Sequence, residues 1–590
     1  MTREQIILFA IFGALLVMFI WGRYRYDLVA FSGLLAGVVL GVVPADEAFT
    51  GFGHPATVIV ALVLIVSAGI TRSGGVQLIT KRLVSSDRGV NAHIAIMGAL
   101  GAVMSGFMNN IAALALLMPV DAQTARKARR AVGYTLMPLS FATILGGMIT
   151  LIGTPPNILV ATFRQQALGS PFRMFDFAPV GLTIAAAGLL FIATIGWRLI
   201  PVRGGTAQAP SALIDDYVAE LVVPEGSDLI GRAVHELEPE ADRCDVAILS
   251  LYREGAPRYG PVRNAILAEG DVLVVEAGPE ALNEFRSLVR LDYPKNASKT
   301  EGQITGEGMN LIEVVVTNDS RINGKTAQAL GLGWRHQTIL MGISREGKTM
   351  RDRVRRTVIL PGDILLLLVP EETQGDVVTW LGGLPLASGT AVTNENRVWW
   401  GLGLFVLAIA AVSASLMTMP VALGFVIVGY VLCKVLTLQN LYTHVDWPVI
   451  VLLGSMIPLG LALDATGGSA VIASALLMLT SGQAAWVSLL LLMVVTMFLS
   501  DVLNNNATTI IAAPVGIRVA EQLDVSADPF LMAVAVAASC AFLTPIGHQN
   551  NTVILGPGGY RFSDYWRMGL PLEVIVLLAG VPAILLFWPL

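Results

Sequence analysis

The chain has 590 residues, 54% of them hydrophobic and 14% charged, and its apolar residues come in blocks of eighteen or more. Such a chain is too apolar for a set of soluble domains and reads as a polytopic membrane protein. A formal charge of -5, spread thinly with the ionisable residues mainly between the apolar blocks, gives no support to nucleic-acid binding. Cys244, Cys433 and Cys540 lie too far apart for a disulfide framework or a metal-ligand spacing and read as small packing residues.

The first apolar segment, Ile6 to Trp21, lacks a basic n-region and a small-residue cleavage site, which predicts a retained transmembrane helix. Spanning segments are expected at about 5–22, 27–44 and 55–72, then at 92–122 with an Asn-Asn break, 131–160 with a Gly-Thr-Pro-Pro-Asn break, and 174–200. The second half follows at about 396–414, 417–435, 447–465, 484–520, 526–555 and 567–590. Each half thus reads as three helices, two interrupted segments and a last helix, an internal repeat. Basic residues concentrate near cytoplasmic helix ends. Arg23, Arg25, Arg72, Lys81, Arg82, Arg88, Arg126, Lys127, Arg129, Arg130, Arg198 and Arg203 are therefore expected inside, with Arg164, Arg173 and Arg518 as outer exceptions. The clusters flanking 92–122 share a side only if that segment is a re-entrant hairpin with Asn109-Asn110 near its tip. Continuing the count places the hairpin 484–520 outside, which makes the repeats inverted and brings the two tips together near the midplane.

From about Thr206 to Gly389 the composition is that of a soluble region with its own repeat. Gly231, Arg253-Glu254-Gly255 and Glu269-Gly270-Asp271 before Val272 to Val275 match Gly324, Arg345-Glu346-Gly347 and Pro361-Gly362-Asp363 before Ile364 to Val369. Short β-branched runs punctuated by Gly and Asp predict two small α+β modules. The expected organisation is a first transmembrane repeat at 1–205, soluble modules at 206–299 and 300–389, and a second transmembrane repeat at 390–590.

Thr150-Leu151-Ile152-Gly153-Thr154-Pro155-Pro156-Asn157 reappears as Thr544-Pro545-Ile546-Gly547-His548-Gln549-Asn550-Asn551. About forty residues upstream, Asn109-Asn110-Ile111-Ala112 through Val120 pairs with Asn504-Asn505-Asn506-Ala507 through Val515. Matched polar breaks in two halves are the sequence pointer to a transporter's binding site. Unwound backbone at membrane depth must line a cavity or meet protein, because lipid satisfies no free N–H or C=O. Its carbonyls suit a small cation and the N-terminal ends of the half-helices suit an anion. The blander reading, proline kinks relieved by packing, does not account for two breaks in register. A lone membrane asparagine is more often interhelical glue, but Asn109, Asn110, Asn504, Asn505 and Asn506 cluster, and an amide offers nitrogen to an oxyanion and oxygen to a cation. Ser105 and Ser500, about one turn before each cluster, offer hydroxyl oxygens to hard-cation sites. His548 is open to three readings: substrate donor, proton sensor, or hydrogen-bonded polar residue. No Lys or Arg belongs to the paired motifs, so anion binding would rest on neutral donors, helix ends and a co-bound cation.

Phe107 to Val120, Gly146 to Asn157 and Leu499 to Val515 resemble the divalent anion/sodium symporter family, within the wider ion-transporter superfamily. The resemblance covers both membrane halves. It implies inverted repeats of helices plus hairpins, a homodimer, and elevator movement of a substrate-carrying domain in the cell membrane. The family's Ser-Asn-Thr signature falls on Asn109-Asn110-Ile111 and Asn504-Asn505-Asn506, which with Thr154, Pro155 and His548 would face the substrate. By the same resemblance Ser105, Asn109, Asn110 and Gly153 would shape one sodium site, and Ser500, Asn505 and Gly547 the other. The signature hydroxyls expected to grip carboxylates are replaced here. The soluble modules resemble paired TrkA-C domains, which would be cytoplasmic and are read equally as regulatory ligand-binding modules or as dimerising inserts. Sulfate permeases of this family are similar in carrying such inserts. The expected function is sodium-coupled symport of a small divalent anion, sulfate first, with other oxyanions, carboxylates and proton coupling left open. A potassium-linked channel would need a Gly-Tyr-Gly-type filter, and none occurs in the apolar segments. The sequence also lacks a Gly-Lys-Ser/Thr phosphate loop and a nucleophile with a base at plausible spacing, against ATP-driven transport and an enzyme.

Overall fold

The computed structural model describes residues 1–590 apart from 22, 74–87, 129, 202–217, 245, 254–255, 258–263, 277–278, 293–308, 318–319, 333–337, 346–347, 351–356, 371–373, 387–394, 437, 439–440, 443–444 and 546. The chain divides into two compact units, Met1–Arg203 with Ser388–Leu590, and Gly204–Ala387. Lys81, Arg82, Arg129, Arg203, Glu254, Gly255, Glu346, Gly347 and the module boundary at 299/300 lie outside the described residues.

The first unit is helical. Its first half contains α1 (Arg3–Trp21), α2 (Tyr26–Val39), α3 (Pro55–Ser73), α4 (Val90–Ser105), α5 (Asn110–Lys127), α6 (Gly133–Gly147), α7 (Pro155–Leu168) and α8 (Ala178–Thr194). The described residues of the second unit include α9 (Glu238–Cys244), α10 (Pro279–Val289), α11 (Ala327–Leu330) and α12 (Gln374–Leu381). The first unit resumes with α13 (Glu395–Ser413), α14 (Met419–Leu432), α15 (Trp447–Ala465), α16 (Gly468–Leu479), α17 (Ala485–Val502), α18 (Asn505–Gln522), α19 (Ala527–Ser539), α20 (Gln549–Leu555) and α21 (Tyr565–Phe587). Among the described residues, four helical stretches are long and apolar enough to cross a membrane: Arg3–Trp21, Trp447–Ala465, Ala485–Val502 and Phe562–Phe587. The interrupted segments are built of shorter pieces. At about 1.5 Å per residue, none of α6, α7, α19 and α20 spans a bilayer alone.

Two elements differ from the sequence reading. Helix α16 occupies a stretch expected to be a loop, because its apolar run of twelve residues is shorter than a span. Helix α7 runs on past residue 160 to Leu168, where Gly169 takes the left-handed conformation (φ 78°) that ends it and returns its N–H to the Gln165 carbonyl.

In each half the first piece of the interrupted segment is buried on all sides and packs on the hairpin of that half, α6 on α4 and α5, α19 on α17 and α18. The second piece crosses to the other half: α7 packs on α18 and α19, while α20 packs on α5 and α6. Small residues permit the close approach, since a Cβ on Gly146 would collide with the Ala102 backbone, where α6 crosses α4.

Among the described residues the second unit holds two antiparallel sheets. The first is β1 (Val218–Val222), β4 (Val272–Glu276), β2 (Ala247–Arg253) and β3 (Ala256–Pro257), in that order. The second is β7 (Lys348–Met350), β6 (Ile339–Arg345), β8 (Ile364–Pro370), β5 (Met309–Val316) and β9 (Gly383–Pro385). The sequence repeat is also a structural one. Arg253 binds the buried Asp271 with both guanidinium arms at 2.7 Å, and Arg345 binds Asp363 in the same way. Gly270 and Gly362, at φ 78° and 85°, make the turns that set those aspartates, and both sheets carry a bulge at the same place in β2 and β6.

Candidate functional site

Both hairpins of the first unit turn where the sequence places asparagine. Helix α4 ends at Ser105 and α5 begins at Asn110, while α17 ends at Val502 and α18 begins at Asn505. Asn109 Oδ1 accepts the Ile111 N–H at 3.1 Å, and Asn504 Oδ1 accepts the Asn506 N–H at 2.9 Å. These are side-chain caps on helix starts whose first N–H groups have no partner within the helix.

Three further bonds repeat between the halves. Ser105 Oγ donates to Asn110 Oδ1 at 2.5 Å, and Ser500 Oγ to Asn505 Oδ1 at 2.9 Å. Thr150 Oγ1 donates to the Gly106 carbonyl, as Thr544 Oγ1 does to the Asp501 carbonyl at 2.8 Å. Asn157 Nδ2 donates to the Thr150 carbonyl at 2.8 Å, and Asn551 Nδ2 to the Thr544 carbonyl at 3.2 Å. The broken backbone is therefore satisfied by its own hairpin tip and by the first turn of the half-helix that follows. Glycine is required at both breaks: a Cβ on Gly153 would collide with the Gly147 carbonyl, and one on Gly547 would stand 2.9 Å from the Asp501 carbonyl. Gly147 is pressed in turn against the Asn110 amide.

The two clusters meet across the halves. Asn110 Nδ2 lies 3.3 Å from His548 Nε2, and His548 Nδ1 accepts the Asn550 N–H at 3.2 Å. Ser140 Oγ donates to Asn551 Oδ1 at 3.0 Å, Asn550 Nδ2 donates to Thr143 Oγ1 at 2.9 Å, and the rings of Phe141 and Phe542 meet at a tilt of 54° with centroids 4.9 Å apart. Ser105, Asn110, Gly153 and His548 thus belong to one connected cluster, and Ser500, Asn505 and Gly547 to a second. Thr154 and Pro155 stand at the start of α7, with Thr154 in extended backbone and Pro155 in the first turn, where its missing N–H costs nothing. Ile111 and Asn506 enter through their backbone N–H groups, each capped by the asparagine two residues before it.

Sequence reasoning missed Asp501 and Glu573. Asp501 stands at the position that Gly106 occupies in the first hairpin. Its Oδ1 accepts the Leu543 N–H at 2.9 Å, and its side chain meets that of Glu573, on α21. Beyond that contact, Asp501 Oδ2 and Glu573 Oε1 have no hydrogen-bond partner among the described residues, although both side chains are buried. The available signal was their rarity, two acids inside apolar segments. Asn550, part of the repeated motif, is fully buried with its Oδ1 unpartnered among the described residues. His93 and Asp121, buried and 2.7 Å apart, brace the far end of the first hairpin with Thr135.

The sequence profile of the citrate transporter family (CitMHS) matches residues 16–491 and 475–590. The chain belongs to that family. The transporter is 32% identical to an uncharacterized transporter of Synechocystis sp. over 585 residues, 97% of this chain and 95% of that protein. It is 28% identical to the uncharacterized transporter YfbS of Escherichia coli over the whole of both chains. It is also 26% identical to sodium/sulfate cotransporter 2 of Chlamydomonas reinhardtii over 350 residues, 55% of this chain and 38% of that one. The family sits within the ion-transporter superfamily beside the divalent anion/sodium symporters, so the transporter is a membrane protein with an anion as substrate.

Proposed function

We propose that the transporter carries a small divalent oxyanion, sulfate first, into the cell together with sodium, by elevator-type alternating access. The observation that carries this reading is the pairing of the two breaks: matched serine, asparagine and glycine sets at two hairpin tips, joined across the halves by Asn110 and His548. In this reading Ser105, Asn109, Asn110 and Gly153 hold one sodium ion, and Ser500, Asn505 and Gly547 hold the other. The anion lies between the tips, among Asn109 to Ile111, Asn504 to Asn506, Thr154, Pro155 and His548. Two cations beside a site without Lys or Arg supply the charge the anion needs, and an anion site without them resists crossing the low-dielectric core.

The repeats are inverted in this reading, the protein is a homodimer in the cell membrane, and the Gly204–Ala387 unit is a pair of TrkA-C-like cytoplasmic modules. The repeated Arg253–Asp271 and Arg345–Asp363 pairs support the duplication. The sodium/sulfate name of the Chlamydomonas relative supports the substrate and the coupling ion. A second reading, a di- or tricarboxylate substrate, is favoured by the family's description. Labelled sulfate and citrate uptake into proteoliposomes, with and without a sodium gradient, decides between them. Sodium-dependent sulfate entry that is lost in both Asn110→Ala and Asn505→Ala supports the first reading; full transport by both variants removes the site.

A further inference from the structure

His548 has more hydrogen-bond acceptance in the structure than an imidazole provides. Its Nδ1 accepts from the Asn550 backbone N–H at 3.2 Å, and its Nε2 faces Asn110 Nδ2 at 3.3 Å, a second donor. A neutral imidazole has one donor nitrogen and one acceptor nitrogen. The backbone N–H has no freedom to reverse, so Nδ1 is the acceptor and Nε2 carries the hydrogen. The reversal falls on Asn110, whose amide oxygen and nitrogen are assigned only from the surrounding network. With its oxygen turned to His548 Nε2–H, its nitrogen faces Ser105 Oγ, which accepts as readily as it donates.

Building on the sodium site proposed above, we infer that sodium and anion binding are coupled by rotation of the Asn110 amide, with His548 as the anion's hydrogen-bond donor. A sodium ion at Ser105 requires both Ser105 Oγ and the Asn110 oxygen. Bringing that oxygen round turns the amide nitrogen toward His548. Two donors, Asn110 Nδ2 and His548 Nε2, then stand 3.3 Å apart with no acceptor between them. An oxyanion oxygen beside the pair, within about 3 Å of each nitrogen, receives both hydrogen bonds. Without sodium the same two groups satisfy each other and leave the anion nothing. The histidine acts in one tautomer throughout, fixed by the Asn550 N–H. The corresponding residue in the other half, Thr154, makes no side-chain cap on α7.

The test is sodium and sulfate binding to the full-length protein in detergent, each measured alone and together, in the wild type, His548→Ala and His548→Gln. In His548→Ala the sulfate affinity falls roughly tenfold or more, the size expected for a lost bond to a charged acceptor. Sodium alone then binds more tightly than in the wild type, because the Asn110 oxygen no longer has His548 to leave. Glutamine supplies an acceptor for Asn550 and a donor at the Nε2 position, so His548→Gln restores sulfate affinity to within a few-fold and controls for folding. Loss of sodium and sulfate affinity together in His548→Ala, or unchanged sulfate affinity, overturns the inference while sodium-dependent binding in the wild type leaves the proposed site standing. Absence of any sodium effect in the wild type overturns both.

Discussion

The two breaks share a backbone and differ in what hangs from it. In both, a serine reaches the asparagine five residues on, a threonine ties the break to the hairpin tip, and an asparagine one turn into the next helix returns to that threonine's carbonyl. The side chains that differ stand at matched positions of the two copies: Gly106 corresponds to Asp501, Gly147 to Ala541, Thr154 to His548 and Pro156 to Asn550. The common frame solves a problem set by the membrane, unwound backbone far from water, and that problem is the same in both halves. The differences make the second break the more polar and more heavily cross-linked of the two.

Several substitutions test that comparison through unfolding of the purified protein in detergent. Gly153→Ala should be the most damaging, about 3 kcal/mol or more, because the new methyl meets backbone oxygen that has no room to withdraw. Gly547→Ala, whose neighbours stand farther off, should cost about half of that. Equal losses would mean that the breaks are not packed as described.

Next come the asparagines that fold back on the breaks. Asn551 bonds Ser140, the Ala541 carbonyl and the Thr544 carbonyl, whereas Asn157 bonds only the Thr150 carbonyl among the described residues. Asn551→Ala should cost about 3 kcal/mol and Asn157→Ala about 1 kcal/mol, following the groups each leaves unpaired. The threonines should differ less. Thr544 Oγ1 also accepts the Gly547 N–H at 3.0 Å, so Thr544→Val should exceed Thr150→Val, which costs about 1 kcal/mol, by a few tenths.

The smallest effect belongs to the residue with the least expected chemistry. Asp501→Asn keeps an acceptor for the Leu543 N–H and offers an N–H to Glu573, so stability should stay within about 0.5 kcal/mol of the wild type or rise. A loss several times larger would mean that the charge of Asp501 itself is needed in the folded protein.

Much of this architecture was legible in the chain. The interrupted segments, the asparagine turns, the glycines of the breaks and the duplicated modules between the halves all follow from local rules. Glycine and proline break helices, asparagine caps them, and an Arg with a Gly-Asp turn recurs where a sheet is repeated. Helix α16 was not legible, because an apolar run of twelve residues is too short to be told from a loop between spans by hydropathy. Asp501 and Glu573 were not legible as a pair, since they lie on different helices and only the packing of those helices brings them together.

Sequence by itself determined that this is a membrane protein of two like halves, each with a polar break beside an asparagine-tipped hairpin. Those features are set by composition and by residues within a turn or two of one another. Tertiary structure alone decided which half-helix crosses to which hairpin, and that His548 of one half faces Asn110 of the other. The reason is geometric: a half-helix too short to span must end against another element, and which element it meets depends on how both hairpins pack around it.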